Sequence, residues 1–266
     1  LVVSNTSQQP LISAHGLGFG YPGKSVGRGI DIEVHAGEIV CLLGPNGSGK
    51  TTLFKTLLGL IPMQAGQVKI AGTPLDAMSR QGMAHAMAYV PQAHAAHFPY
   101  RVIDMVVMGR TAHLGLFAAP SELDRTKARD ALALLGIGDL AEQPYTRISG
   151  GQRQMALIAR ALAQEAHLIV MDEPTASLDF GNQVKVLSQV RQLAARGLGI
   201  ILSTHAPDQA FATASRVLLL HDGGLIADGA PADVLTAEKL RMVYGVDVAI
   251  ETIAGGHRVC VPEYAD

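Results

Sequence analysis

The sequence predicts an α/β fold with a mostly parallel sheet, an antiparallel β part at the N-terminal end and an inserted helical subdomain. Three observations predict it. Short apolar runs alternate with segments of helical spacing along most of the chain. Two of these runs, Ile39–Leu43 and Leu168–Met171, are unbroken, which is how a strand buried on both faces reads. From about residue 100 to 165 strand signal gives way to helical spacing.

Residues 1–10 are polar and read as a loose end. Leu11–Leu17 and Ile30–His35 read as strands, the second with Ile30, Ile32 and Val34 on one face. Ile39–Leu43 runs into a glycine-rich turn, and a helix is predicted from Lys50 to Leu60. Gln67–Ala71 and Ala86–Val90 are further strands. In the helical stretch, Ser121 with Asp124 fits a capping box ahead of Ala128, Ala131, Leu132 and Leu135. A second helix starts at Gly150, with Met155, Ile158, Ala159 and Leu162 on one face. Leu168–Met171 and Gly199–Thr204 are buried strands flanking a helix at Phe180–Arg196. Val217–His221 and Leu225–Asp228 pair around Asp222-Gly223-Gly224, and Val246–Ile250 and Arg258–Val261 pair around Ala254-Gly255-Gly256.

Composition narrows the function. The 266 residues suit one large domain or two small ones. With 48% hydrophobic and 17% charged residues the chain is not disordered by composition. A net charge of −2 lacks the basic excess of a nucleic-acid binder, so no nucleic-acid partner is expected. Mean hydropathy of +0.23 raises the membrane question. No run approaches the ~18–20 apolar residues that span a bilayer, so any membrane role is expected through a membrane partner. Cys41 and Cys260 share no motif, which argues against a disulfide framework and a cysteine-built zinc site. The first ten residues lack a basic stretch followed by an apolar core, so no signal peptide is expected there and cytosol is the expected compartment. His94 and His97, spaced i, i+3, admit a metal pair or a partner-facing loop; no carboxylate or cysteine accompanies them, which favours the loop. Met87, Met105 and Met108 read as core filler.

The chemistry begins at Gly44, Pro45, Asn46, Gly47, Ser48, Gly49, Lys50 and Thr51, followed by Thr52. This fits G-x-x-x-x-G-K-[ST], between a buried strand and a helix. Its glycines let backbone N–H groups curl around a phosphate, Lys50 supplies charge to the β- and γ-phosphates, and Thr51 offers a hydroxyl to Mg²⁺. The helix N-terminus adds its positive end at the same place. The fold is therefore expected to be a P-loop NTPase core. Leu168–Met171 delivers Asp172 to the C-terminal edge of the sheet, where ligands bind in open α/β sheets. Asp172 there suits Mg²⁺, and Glu173, pointing elsewhere, suits polarising an attacking water. Ser149 and Gln152 read locally as a capping box, yet Gly150 and Gly151 at a helix start also make a second anion site.

At Ile148-Ser-Gly-Gly-Gln152 the chain resembles the ATP-binding-cassette ATPases, whose signature is usually written L-S-G-G-Q. The rest of that family's motifs stand in order. Gln92 in Tyr89-Val-Pro-Gln92 matches the Q-loop, Ser177-Leu-Asp179 the D-loop, and His205 the switch histidine. Tyr21 stands where an aromatic stacks on adenine; a turn aromatic beside Pro22-Gly23 is the other reading. A solvated loop residue is the other reading of Gln92 and a strand-end cap that of His205, though a histidine after a buried strand on the nucleotide side is well placed to contact a γ-phosphate.

The resemblance implies a domain over 11–245 with a helical subdomain inserted at about 95–165, and a short C-terminal extension at 246–266. It implies a Mg-dependent ATPase and a head-to-tail homodimer with two ATP molecules between the copies. Glu173, His205, Lys50 and Gln92 would be catalytic; Thr51, Gln92 and Asp172 would hold Mg²⁺; Ser149–Gln152 and Asp179 would face the partner copy's nucleotide. Val107-Met-Gly-Arg-Thr-Ala-His113 resembles the Gly-Arg-x-Pro-His pattern of importers of iron–siderophore complexes, heme and cobalamin, with Ala112 in place of the proline. The implied partners are two membrane permease subunits and a periplasmic or surface substrate-binding protein, at the cytoplasmic face of the inner membrane. A soluble cassette ATPase and an exporter ATPase with separate membrane subunits are the alternatives. No sustained heptads lie between Gln92 and Ser149, against the former.

Overall fold

A computed structural model describes residues 9–92, 98–115 and 118–263. Most of the expected loose end at 1–10 lies outside these residues, as do His94 and His97. In chain order the elements are β1 (Ile12–Tyr21), β2 (Lys24–Val34), β3 (Ile39–Leu43), α1 (Lys50–Leu57), β4 (Ala65–Ile70), β5 (Thr73–Pro74), α2 (Arg80–Ala86) and β6 (Met87–Val90). The helical stretch holds α3 (Val102–Val107), a 3-10 segment at Met108–His113, α4 (Glu122–Leu134) and α5 (Gly150–Ala163). Then come β7 (Leu168–Met171), α6 (Phe180–Ala195), β8 (Gly199–Thr204), α7 (Pro207–Thr213), β9 (Arg216–His221), β10 (Gly224–Gly229), α8 (Pro231–Val234), α9 (Ala237–Tyr244), β11 (Val248–Thr252) and β12 (Arg258–Pro262).

Two main sheets form. The N-terminal strands make an antiparallel sheet in the order β2-β1-β4-β5. The central sheet runs β10-β9-β3-β8-β7-β6, with β3, β6, β7, β8 and β9 parallel and only the edge strand β10 antiparallel. The predicted mixture of a mostly parallel sheet and an antiparallel N-terminal part is therefore present. β3 shows why its sequence is unbroken apolar. Val40 and Leu42 face a core shared with Phe19, Ile30, Phe54 and Leu57, while Ile39, Cys41 and Leu43 face a second core with Ile103, Leu132, Ile158 and Leu202. Strand side chains alternate faces, so two buried faces demand apolar residues at every position.

β1 and β2 are longer than predicted, meeting at the Pro22-Gly23 turn. Glycines at 18, 20, 27 and 29 dilute the strand signal. Two of them are there for close approach: a Cβ on Gly20 would collide with the Lys24 carbonyl, and one on Gly27 with the Gly223 carbonyl. α1 stops at Leu57 rather than Leu60. Leu58 caps it and Gly59 takes a left-handed φ of 66°, which turns the chain out of the helix. The helices α2, α7, α8 and α9 were not legible, because pieces of four to eight residues are too short to establish a 3.6-residue period.

In the helical stretch the Ser121–Asp124 capping box forms as predicted, with Asp124 N bonded to Ser121 Oγ and Ser121 N to Asp124 Oδ2 at 2.9 Å. Arg110 is buried in the joint between α4 and the end of α5. Its guanidinium reaches Asp124 Oδ1 at 3.0 Å, Ala163 O at 2.7 Å and Glu165 Oε2 at 2.7 Å. The Ser121 hydroxyl and N–H, followed by Arg110, hold the Asp124 carboxyl down at about 2. A Cβ on Gly109 would collide with the Arg160 carbonyl. Gly109 and Arg110 thus serve the packing of this stretch. Met87 is buried and Met105 packs against the core, but Met108 is 44% exposed and is not core filler. It lies on the 3-10 segment, where side chains three apart eclipse and only Gly109 and Arg110 turn inward.

Candidate functional site

The parallel register sets the C-terminal ends of β3, β8 and β7 side by side: Leu43 lies beside Thr204, and Leu202 beside Met171. Each of these strands ends in a motif. The loop after β3 turns through Gly47 (φ 83°) and Gly49 (φ 101°), conformations that favour glycine. A Cβ on Gly44 would stand 2.5 Å from the Leu220 carbonyl oxygen, and one on Gly49 2.7 Å from Val26 Cγ1. The loop is thus clasped between the central sheet and the β1–β2 hairpin. Lys50 opens α1 with its ammonium curled back over the loop, donating to Gly44 O at 2.9 Å and Pro45 O at 3.0 Å. Ser48 Oγ is buried with no hydrogen-bond partner among the described residues.

Two carboxylates follow β7 and point apart, as expected from their adjacent positions. Asp172 is buried and accepts from Ser203 Oγ at 2.7 Å; among the described residues its other oxygen meets only the Tyr89 hydroxyl, at 3.5 Å. Burial, and then the Asp172 charge, push the Tyr89 phenol up to about 12, so it stays a donor. Glu173 has a left-handed φ of 46°, a strained backbone of the kind found at functional sites. Its carboxylate lies 3.5 Å from Lys50 Nζ through one oxygen and 3.5 Å from His205 Nδ1 through the other. Residues from three separate segments therefore meet around one carboxylate.

At this site a phosphate loop, a buried strand-end Asp, a Glu beyond it and a His from the neighbouring strand end converge. The model of the family described as ABC transporter matches residues 28–176. The chain belongs to the ABC transporter family. It is 42% identical to an uncharacterized ABC transporter ATP-binding protein of Haemophilus influenzae, over 92% of this chain and 93% of that one. It is 37% identical to the hemin import ATP-binding protein HmuV of Thermobifida fusca, over 92% of this chain and 86% of the relative. Among solved structures it is similar to one described as an inward-facing conformation of a metal-chelate type ABC transporter, with a TM-score of 0.85, 33% identity, and coverage of 96% of this chain and 98% of that one. The chain is thus an ATP-hydrolysing ATPase of the ABC transporter family. No helix among the described residues is long and apolar enough to cross a membrane.

The ABC motifs fall into two groups in space. Lys50, Asp172, Glu173 and His205 are together. Ser149–Gln152 starts α5, and its capping box is formed: Gln152 N donates to Ser149 Oγ at 3.2 Å, and Ser149 N to Gln152 Oε1 at 2.8 Å. No hydrogen bond or ion pair among the described residues links it to the Lys50–Glu173–His205 cluster. Asp179 caps α6, with its carboxylate taken by Asn182 N at 2.8 Å and Asn182 Nδ2 at 2.9 Å. A Cβ on Gly151 would press into Asn182, so this asparagine joins the Ser177–Asp179 turn to the start of α5. Gln92 is exposed just beyond β6. Tyr21 ends β1 and is 42% exposed; two residues before it, the Phe19 ring lies against Gly49.

Sequence reasoning missed Ser203. It is fully buried in β8, donates to Asp172 and accepts from the Glu173 N–H at 2.9 Å, so one hydroxyl fixes both carboxylate residues. A serine inside an apolar strand was its only local signal. Ser203→Ala is expected to destabilise the fold by about 1–3 kcal/mol, because it leaves a buried carboxylate and an N–H short of a partner. Chemical denaturation of the variant against wild type measures this, and an unchanged midpoint would contradict it.

Proposed function

We propose that this chain is the ATP-hydrolysing subunit of an importer for a metal chelate such as heme, an iron–siderophore complex or cobalamin. Two copies work at the cytoplasmic face of the inner membrane, under two permease subunits supplied by a periplasmic or surface substrate-binding protein. The observation that carries the ATPase part is the Glu173 carboxylate held 3.5 Å from both Lys50 Nζ and His205 Nδ1. The hemin import relative and the metal-chelate type structure support the cargo class.

In this reading the ATPase domain covers 11–245, the helical subdomain about 95–165, and 246–266 is an extension. Backbone N–H groups of Gly44–Thr52 hold the phosphates, with Tyr21 on the adenine. Lys50 and His205 stabilise charge on the γ-phosphate, and Glu173 orients and deprotonates the attacking water. Ser149, Gly150, Gly151, Gln152 and Asp179 of one copy face the ATP held by the other, so that each copy's two anion sites serve different nucleotides. The site suits a nucleotide with its metal: among the described residues the Ser48 hydroxyl stands buried and unpartnered at the loop, and one Asp172 oxygen has only a long contact. Thr51, Asp172 and Gln92 are an all-oxygen set, as a hard cation requires. Mg²⁺ held there would neutralise charge on the phosphates.

A membrane partner is supported by a cavity of about 580 Å³ between the core and the helical stretch, lined by Leu60, Met83, Tyr89 and Met108. Leu60 and Met108 are exposed beside it, and Phe98 and Tyr100 are exposed on the helical stretch. Exposed apolar groups beside a cavity, as Leu60 and Met108 are here, mark interaction surfaces. The test is co-purification from detergent-solubilised membranes after expression with the chromosomal neighbours, followed by Mg-ATP hydrolysis with each binding protein and cargo. A permease partner and cargo-stimulated hydrolysis are expected. A chain that finds no membrane partner and hydrolyses ATP unaided would overturn the importer reading in favour of a soluble ATPase.

A further inference from the structure

The turn that carries Glu173 and the strand end that carries His205 are held by one side chain outside every motif. Gln209, on α7, accepts with its single amide oxygen from Thr175 Oγ1 at 2.7 Å and from Thr204 Oγ1 at 2.9 Å. Thr175 stands two residues after Glu173, and Thr204 immediately before His205. An amide oxygen has two lone pairs, and both are used here. The turn it fastens is strained at both ends, with left-handed φ at Glu173 (46°) and Ser177 (63°), so something must hold it in place.

α7 itself has only seven residues and is marginal alone. It is backed by the C-terminal hairpin. β12 packs along α7, and the Cys260 N–H donates to Asp208 Oδ1 at 2.7 Å. Val248, Ile250 and Cys260 pack against the main core, and Arg258 donates to Ala232 O at 3.0 Å. Asp208, the residue directly preceding Gln209, therefore ties the hairpin to α7.

We propose that Gln209 is a positioning residue for hydrolysis, setting Glu173 relative to His205, and that the β11–β12 hairpin holds it there through Asp208. The inference rests on the catalytic reading of Glu173 and His205. Small misplacements of reacting groups cost rate rather than affinity. Loss of the clamp should therefore lower kcat and leave the KM for ATP nearly unchanged.

The experiment uses the full chain with Gln209→Ala, Gln209→Glu, Asp208→Ala and Asp208→Asn, each checked by thermal melting. Gln209→Ala is expected to lower kcat about tenfold with KM within about twofold. Gln209→Glu, which keeps an acceptor for both threonines, should restore most of the rate. Cys260 gives a readout independent of activity. It is half-buried on the hairpin while Cys41 is fully buried, so thiol labelling of the folded chain reports Cys260. Asp208→Ala should speed that labelling and lower kcat together, and Asp208→Asn should do neither. Faster labelling with unchanged kcat would overturn the role of the hairpin, as would unchanged labelling. A Gln209→Ala enzyme with wild-type kcat, or one that Gln209→Glu does not rescue, would overturn the clamp. Failure of the catalytic reading is seen separately, as wild-type hydrolysis by Glu173→Gln.

Discussion

Glu173→Gln is expected to bind ATP with near wild-type affinity and to hydrolyse it at least about 100-fold more slowly, the usual contribution of a positioned acid or base being 10²–10⁴. Glutamine keeps the size of the side chain but cannot take a proton from water. It also removes the negative charge that Lys50 and His205 share, each 3.5 Å away. With less negative charge beside the γ-phosphate, the nucleotide-bound state should persist, and the ATP-loaded homodimer should accumulate. Phosphate release gives the rate, and light scattering with and without ATP gives the dimer. Normal steady-state hydrolysis by this variant would remove Glu173 from its proposed role.

Lys50→Met is expected to act first on binding. The ammonium is buried and bonded to two loop carbonyls and a carboxylate, and no second lysine or arginine is bonded to that loop among the described residues. Hydrogen bonds to charged groups are worth about 1.5–3 kcal/mol, or roughly a ten- to hundredfold loss of ATP affinity at about 1.4 kcal/mol per decade. Hydrolysis should fall further still, since the charge proposed to stabilise the γ-phosphate is gone. Methionine retains the apolar stem, so thermal melting separates loss of binding from loss of fold. ATP affinity equal to wild type, measured by equilibrium titration, would sink the assignment of Lys50 to the phosphates.

The limits of β7 and β8 were legible residue for residue, and so were both capping boxes. Each rests on a local rule: a fully buried strand must be apolar throughout, and a helix start needs a side-chain acceptor for its free N–H groups. The loop after β3 was legible for the same reason, because its glycines answer to backbone angles within the loop. The strands β1 and β2 were read short, since their glycines answer to neighbours far away in sequence, such as Gly223 against Gly27. Gly109 and Arg110, whose pattern resembles that of metal-chelate importers, also pack the helical stretch against Arg160, Asp124 and Glu165, a role that their spacing alone did not reveal.

The sequence by itself determined the layered α/β plan, the phosphate loop, the residues that gather around Glu173 and the family. These depend on residue type at fixed short spacing, and short-range sterics and hydrogen bonding act at that range. Only the tertiary structure decided that Ser203 fastens Asp172 to Glu173, that Gln209 ties Thr175 to Thr204, and that the C-terminal hairpin backs α7. Serine, glutamine and a backbone N–H are common polar groups with no pattern of their own. They acquire a role when the register of β7 against β8, and the packing of α7 against β8, bring them within hydrogen-bonding distance.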